Sequence, residues 1–322
     1  MLLSQNMSND NDNKKIEDCR RELLECPSSH PDSRRQLLND LSIALYDRFL
    51  QLGGIEYLEE SITYGRQGLN LCPIGSHNSS ASVNILATAV LSRFEQLGGM
   101  EDLKDAITCH RQALALRPHG HPDRSVSLNG LALAMFARFQ QLGGMEDLEE
   151  AITCHRRALA LRPDGHPERS LSLNNLANAM YRRFEQLGRM EDLEEAITSY
   201  CQAIALRPHG HSDLSRPLNG IANAVFTRFQ QLGEMGDLEE AITCYRQAPT
   251  LRLHGHPNRP VSLSNLAIAV HTRFKQLGRM EDLEEAITCH RQALALRPHG
   301  HPSRSESLNG FANVMSSHDF LG

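Results

Sequence analysis

The sequence predicts an all-α fold, a solenoid of antiparallel helix pairs, and three observations predict it. The first is a period of 45 residues: Leu52, Leu97, Leu142, Leu187, Leu232 and Leu277 each precede a glycine. Arg-Phe recurs in the same register at 93–94, 138–139, 183–184, 228–229 and 273–274. Self-similarity at a fixed period marks units that bury a core only by stacking on one another. The second observation is that apolar residues inside each unit recur at helical spacing. The third is composition: no tryptophan, 5% aromatic and 40% hydrophobic residues leave a core of Leu, Ala, Ile and Met, which suits helices better than sheets.

The elements follow in chain order. Residues 1–13 read as a disordered polar tip, and KKIEDCRRELLEC at about 14–26 as a lone helix. Six helix pairs are expected from about 33 to 298, and residues 14–316 as one solenoid. The third pair stands for the rest. Leu128, Leu131, Met135, Phe139 and Leu142 form one face of its first helix, and Gly143 supplies a left-handed stop. The second helix opens with Glu146 and Asp147, which favour the positive N-terminal end. Its apolar stripe is Leu148, Ala151, Ile152, His155 and Leu159, closed by Arg162 and Pro163. The Met residues at the second-helix starts, Met100, Met145, Met190 and Met280, read as core or staple residues. Unit five departs from the pattern: Pro249 falls in the last turn of its second helix and Leu253 replaces the terminal proline. A proline removes a backbone donor and clashes with the preceding turn, so an early end or a kink is expected near 246–249. After the sixth pair, SESLNGFANVM begins another first helix, and residues 317–322 read as a frayed C-terminus. The sequence stops in mid-unit. The expectation is a fragment of a longer protein or a truncated gene model, with self-association possible through the open half repeat.

Several function classes are disfavoured. The net charge of −6 is interspersed rather than clustered, which argues against a nucleic-acid footprint. No apolar run approaches the roughly 18–20 residues that span a bilayer, and the opening apolar stretch is too short for a signal peptide. The expected compartment is therefore cytoplasmic, with no nucleic-acid or membrane partner. Cys109, Cys154, Cys244 and Cys289 occupy matching points of the repeat and are expected as reduced thiols, since stacked helices lie about 8–10 Å apart, beyond disulfide reach.

The loops RPHGHP (117–122), RPDGHP (162–167), RPHGHS (207–212), RLHGHP (252–257) and RPHGHP (297–302) look at first like a row of metal sites. Zinc needs three or four ligands, each loop offers two, and Asp164 replaces one of them. The better reading is a turn: Gly for the bend, His or Asp as polar loop residues, Pro to start the next helix. His110, His155 and His290 follow the repeated cysteines on the buried face and read as core. The MEDLEE acids lie on helix starts rather than in an oxygen-rich calcium loop and read as a solvated face. With no phosphate loop, nucleophile elbow or paired carboxylates, the sequence is not expected to be an enzyme, and no catalytic residue, metal or cofactor is assigned.

Internal distances narrow the repeat class. Leu128-x2-Leu131-Ala132-x2-Met135, then Ala151-x3-His155, then Pro163 follow the tetratricopeptide pattern. Relative to the 34-residue unit, seven residues are added between Met135 and Ala151 and four between Pro118 and Leu128. The units "GHPDRSVSLNGLA…RFQQLGGMEDLEEAI…RALALRPDGHPERSLSLNNLA" resemble the tetratricopeptide arrays of fungal proteins, especially those that accompany a caspase-like CHAT domain. More distantly they are similar to kinesin-light-chain-type repeats, with their LNNLA first helices. The resemblance covers about residues 33–316. It implies a right-handed superhelical solenoid whose first helices line a concave groove, and a non-catalytic scaffold that binds an extended peptide or protein there. The alternative it leaves open is the sensor or regulatory arm of a larger effector, a caspase-like peptidase or nucleotide-switch protein, with catalysis outside this chain.

At about 100° per residue, the groove face of the first helices carries a row of asparagines. It runs through Asn84, Asn129, Asn174, Asn175, Asn178, Asn219, Asn223, Asn265, Asn309 and Asn313, with Phe136, Tyr181, Arg182 and Phe226 among them. An amide both donates and accepts, so such a ladder can hold peptide backbone while the rings take apolar side chains. Equally, the asparagines can bond neighbouring helices or have come along with duplication.

Overall fold

The computed structural model describes residues 2–72, 79–208, 211–251 and 258–319. Among the described residues it has fourteen α-helices, one 3₁₀ turn and no strand. The chain forms two compact units, Met1–Pro163 and Asp164–Gly322. The first holds α1 (Leu2–Glu25), α2 (Pro31–Leu52), α3 (Ile55–Asn70), α4 (Ser79–Leu97), α5 (Met100–Ala115), α6 (Arg124–Leu142) and α7 (Met145–Ala160). The second holds α8 (Arg169–Leu187), α9 (Met190–Ala205), α10 (Ser215–Leu232), α11 (Met235–Thr250), α12 (Arg259–Leu277), α13 (Met280–Ala295) and α14 (Arg304–Asp319). In each unit, first and second helices pair as neighbours in sequence, and each second helix also packs on the next first helix. α1 stands before α2 as a second helix would, through Ile16 against Leu41 and Leu45. α1 starts at Leu2, so the stretch expected as a disordered tip is drawn into the helix. At the other end α14 runs to Asp319.

Each core position follows from the repeat pattern. Leu128, Leu131, Met135 and Phe139 are buried against Leu148, Ala151, Ile152 and His155, and each large apolar side chain removed from water contributes about 1.5–3 kcal/mol. Leu142 is the exception, 65% exposed: it is the last residue of α6, past the reach of α7. Met100 and Met280 are likewise exposed rather than core. Gly143 has φ 73° and its N–H meets the Phe139 carbonyl, the left-handed stop expected.

The Arg-Phe and MEDLEE motifs meet in space. Arg138 Nε and Nη2 donate to Asp147 Oδ2 and Oδ1 at 2.7 and 2.5 Å. The same fork joins Arg93 to Asp102, Arg183 to Asp192, Arg228 to Asp237 and Arg273 to Asp282. Thus one acid of each MEDLEE run is not part of a solvated face. It locks the first helix to the second by a planar two-point bond.

α11 spans the same 16 residues as the other second helices, so the early end expected at Pro249 does not occur. The proline sits one residue from the helix end and is buried. The i→i−4 bond that its missing N–H forgoes is lost from the last turn only. Arg259 Nη1 still donates to the Pro249 carbonyl at 3.1 Å, as Arg304 does to Leu294. Leu253 lies outside the described residues.

Candidate binding groove

The repeat linkers set where each first helix begins. Gly120 has φ 89°, a bend that favours glycine. His121 Nδ1 then accepts the Asp123 N–H at 3.1 Å, and His166, His211 and His301 do the same for Glu168, Asp213 and Ser303. In these four loops the second histidine position is thus an acceptor at a helix entry. Among the described residues, no three His, Cys, Asp or Glu side chains gather as a metal would require. Arg117, Arg162 and Arg297 lie inside: Arg117 is 3% exposed, and its Nη1 donates to the Asp123 carbonyl and Ser127 Oγ, both at 2.9 Å.

With the first helices so fixed, the predicted groove residues divide into two rows. The first row joins repeats. Asn84 is buried and its Oδ1 accepts from Ser127 Oγ at 3.1 Å; Asn219 Nδ2 donates to Ser262 Oγ at 2.9 Å. Asn174 is also buried, and its Oδ1 has no partner, because Pro217 stands where Ser127 and Ser262 stand in their repeats. Asn84 and Asn219 thus each bond a serine of the first helix in the following repeat. Asn129 and Asn175 are half-buried, while Asn309 and Asn313 on α14 are exposed.

The second row faces outward over the second helices. Tyr200 Oη donates to Asn178 Oδ1, and Tyr245 Oη to Asn223 Oδ1, each at 2.6 Å. Asn265 Nδ2 reaches Asn223 Oδ1 at 3.2 Å, so this oxygen has two donors. Tyr181 Oη and Thr227 Oγ1 are 2.9 Å apart, and burial pushes the Tyr181 phenol up from its ordinary pKa. Phe226 leans on Phe229 and Phe136 on Phe139, ring centres 6.2 Å apart. Arg182 is exposed and pairs with Glu185 at 2.7 Å.

In the second unit these side chains enclose a cleft of about 230 Å³. Four predicted residues, Tyr181, Asn223, Phe226 and Asn265, line it together with Thr227, Tyr245 and Ile268. Sequence reasoning missed Tyr245 and the pairing it makes. The signal was present: Tyr200 and Tyr245 each lie 22 residues after an asparagine, whereas His110, His155 and His290 lie 22 after Thr88, Leu133 and Ile268. A phenol donates where an asparagine can accept; the buried imidazoles make no such bond, and their ring nitrogens are largely unpartnered.

Residues 125–168 and 187–209 match family models described as tetratricopeptide repeat. Those two stretches read as tetratricopeptide repeats. Solved structures share the fold. Pseudomonas aeruginosa pilF is 17% identical, with 88% of this chain and 99% of that one covered at a TM-score of 0.56. BtubC (BKLC) from P. vanneervenii is 18% identical over 76% of this chain and 89% of that one, at 0.51. The human IFIT1 dimer with PPP-AAAA is 15% identical over 88% and 54%, at 0.52. No curated protein sequence matches. Tetratricopeptide-repeat proteins generally mediate protein–protein interaction and are typically non-catalytic. No helix among the described residues is long and apolar enough to cross a membrane.

Proposed function

We propose that the chain is a non-catalytic scaffold that binds an extended peptide or protein segment along its first helices, in the cytoplasm. The observation that carries this reading is the cleft of about 230 Å³ between Tyr181, Phe226 and Ile268, rimmed by Asn223 and Asn265. Because Asn223 Oδ1 is taken by Tyr245 and Asn265, its Nδ2 hydrogens are the part of that amide free to meet a ligand. Donors set beside an aromatic wall suit a backbone carbonyl followed by an apolar side chain. The second row of asparagines, Asn178 and Asn223 with Asn265, carries the function; Asn84, Asn174 and Asn219 serve to join repeats.

The experiment selects peptides from a displayed random library on the intact chain. It then measures their affinity for the wild type, Phe226→Asp and, as a control on an exposed residue of a second helix, Glu240→Gln. The expected result is a loss of about tenfold or more for Phe226→Asp alone. Peptides that bind all three proteins equally would remove the groove from consideration.

A further inference from the structure

A second cleft, of about 510 Å³, opens in the first unit between α5 and α7 over the N-terminal half of α6. Two second helices and the first helix between them line it, apart from the groove just described. Three guanidinium groups reach it: Arg111 from α5, Arg124 from α6 and Arg157 from α7. They are held differently. Arg111 Nη2 donates to both oxygens of Glu150, at 3.0 and 2.9 Å. Arg124 Nη1 caps the end of α5 through the Leu114 and Arg117 carbonyls, which leaves its other edge open. Arg157 is exposed and has no hydrogen bond or ion pair among the described residues.

The repeat supplies its own comparison. At the place of Arg157 the other five repeats carry Gln67, Gln112, Gln202, Gln247 and Gln292. The α11–α13 counterpart has Arg246, Arg259 and Gln292, and the α3–α5 counterpart has Arg66, Ser79 and Gln112. The α5–α7 cleft alone collects three arginines, against the single carboxylate of Glu150. Its floor is apolar, with Leu114 and Leu131. A volume of this order is that of a small-molecule site. Three arginine forks less one carboxylate leave two positive charges, which match a phosphate monoester of about −1.5 to −2.

We propose that this cleft binds a phosphate monoester with an apolar body, its oxygens clasped by Arg111, Arg124 and Arg157 and its body laid over Leu114 and Leu131. A bare phosphate ion shares the oxyanion chemistry but not the body, and the test separates the two.

Titration calorimetry on the full chain, at physiological salt, uses phenyl phosphate, inorganic phosphate and phenylacetate. Phenyl phosphate is expected to bind at one site per chain and more tightly than either of the others. Arg157→Gln, which installs the residue of the other five repeats and so leaves the fold intact, is expected to weaken it about tenfold or more. Gln292→Arg is expected to raise the stoichiometry from one to two, since the α11–α13 cleft then gains its third arginine. No binding of phenyl phosphate, equal affinity in Arg157→Gln, or a stoichiometry that stays at one in Gln292→Arg would overturn the site. Inorganic phosphate or phenylacetate binding as tightly as phenyl phosphate would overturn the ligand class.

Discussion

Replacing Asp192 by alanine takes its two-point partner from a guanidinium in a largely dry place. Arg183 Nε and Nη2 reach the two oxygens of Asp192 at 2.9 and 2.6 Å, and the side chains are 12% and 6% exposed. Removing one partner of a buried pair costs about 3–5 kcal/mol. Partial access of water to Arg183 lowers that to about 2–3 kcal/mol. The unfolding entropy of a unit of about 160 residues is roughly 0.3 kcal/mol/K, so the melting transition of the second unit should fall by about 6–9 °C. Thermal melts followed by far-ultraviolet circular dichroism read this directly, with Glu191→Ala, an exposed neighbour, as control. A drop below about 2 °C, or an equal drop in Glu191→Ala, refutes the reasoning. So does a drop that disappears in high salt, because screening acts on exposed pairs far more than on buried ones.

Three further predictions come from the ring residues and thiols. Burial, and then the nearby Arg117 or Arg162, pulls His110 down to about 4 and His155 to about 3, from an ordinary 6.5. As pH falls from 6.5 through about 4, the unfolded chain therefore takes up protons that the folded chain refuses. Stability is fully present above that window and declines within it. The double variant Thr88→Asn/His110→Tyr, which reproduces the Asn178–Tyr200 pair, should make the acid decline of the first unit shallower; an unchanged slope in pH-dependent melts would count against burial as the cause. Gly220→Ala should destabilise by about 1–3 kcal/mol despite alanine's better helix propensity, because a Cβ there would lie 2.3 Å from the Tyr200 ring; a rise in urea midpoint would contradict the packing. Burial pushes the Cys244 and Cys289 thiols up to about 11, so a thiol-disulfide reagent at neutral pH should label them more slowly than exposed Cys201, with peptide mapping as the readout.

The fold was legible because each signal was local and repeated. The 45-residue period and the stripe Leu128, Leu131, Met135, Phe139 name the helices and their buried face, since helical periodicity alone decides which residues share a side. Gly143 names a helix end, because its conformation depends on itself more than on its surroundings. The early end at Pro249 does not occur because propensity is local, while the end of α11 is buried and its Pro249 carbonyl is met by Arg259.

The candidate site was only half legible. Angular position on a helix placed Asn174 and Asn223 on one row, yet Asn174 is buried between repeats and Asn223 opens on a cleft. What separates them is the neighbour: the Asn174 oxygen is buried without a partner, while that of Asn223 meets Tyr245's hydroxyl. The same holds for charge. The sequence shows Arg138 and Asp147 nine residues apart, but their two-point bond exists only once a glycine stop folds the second helix back on the first. The sequence by itself determined which residues are helical and which of their faces is apolar, because both follow from backbone geometry. Tertiary structure alone decided which polar side chains meet each other and which are left for a ligand, because that depends on distances between helices that no single helix contains.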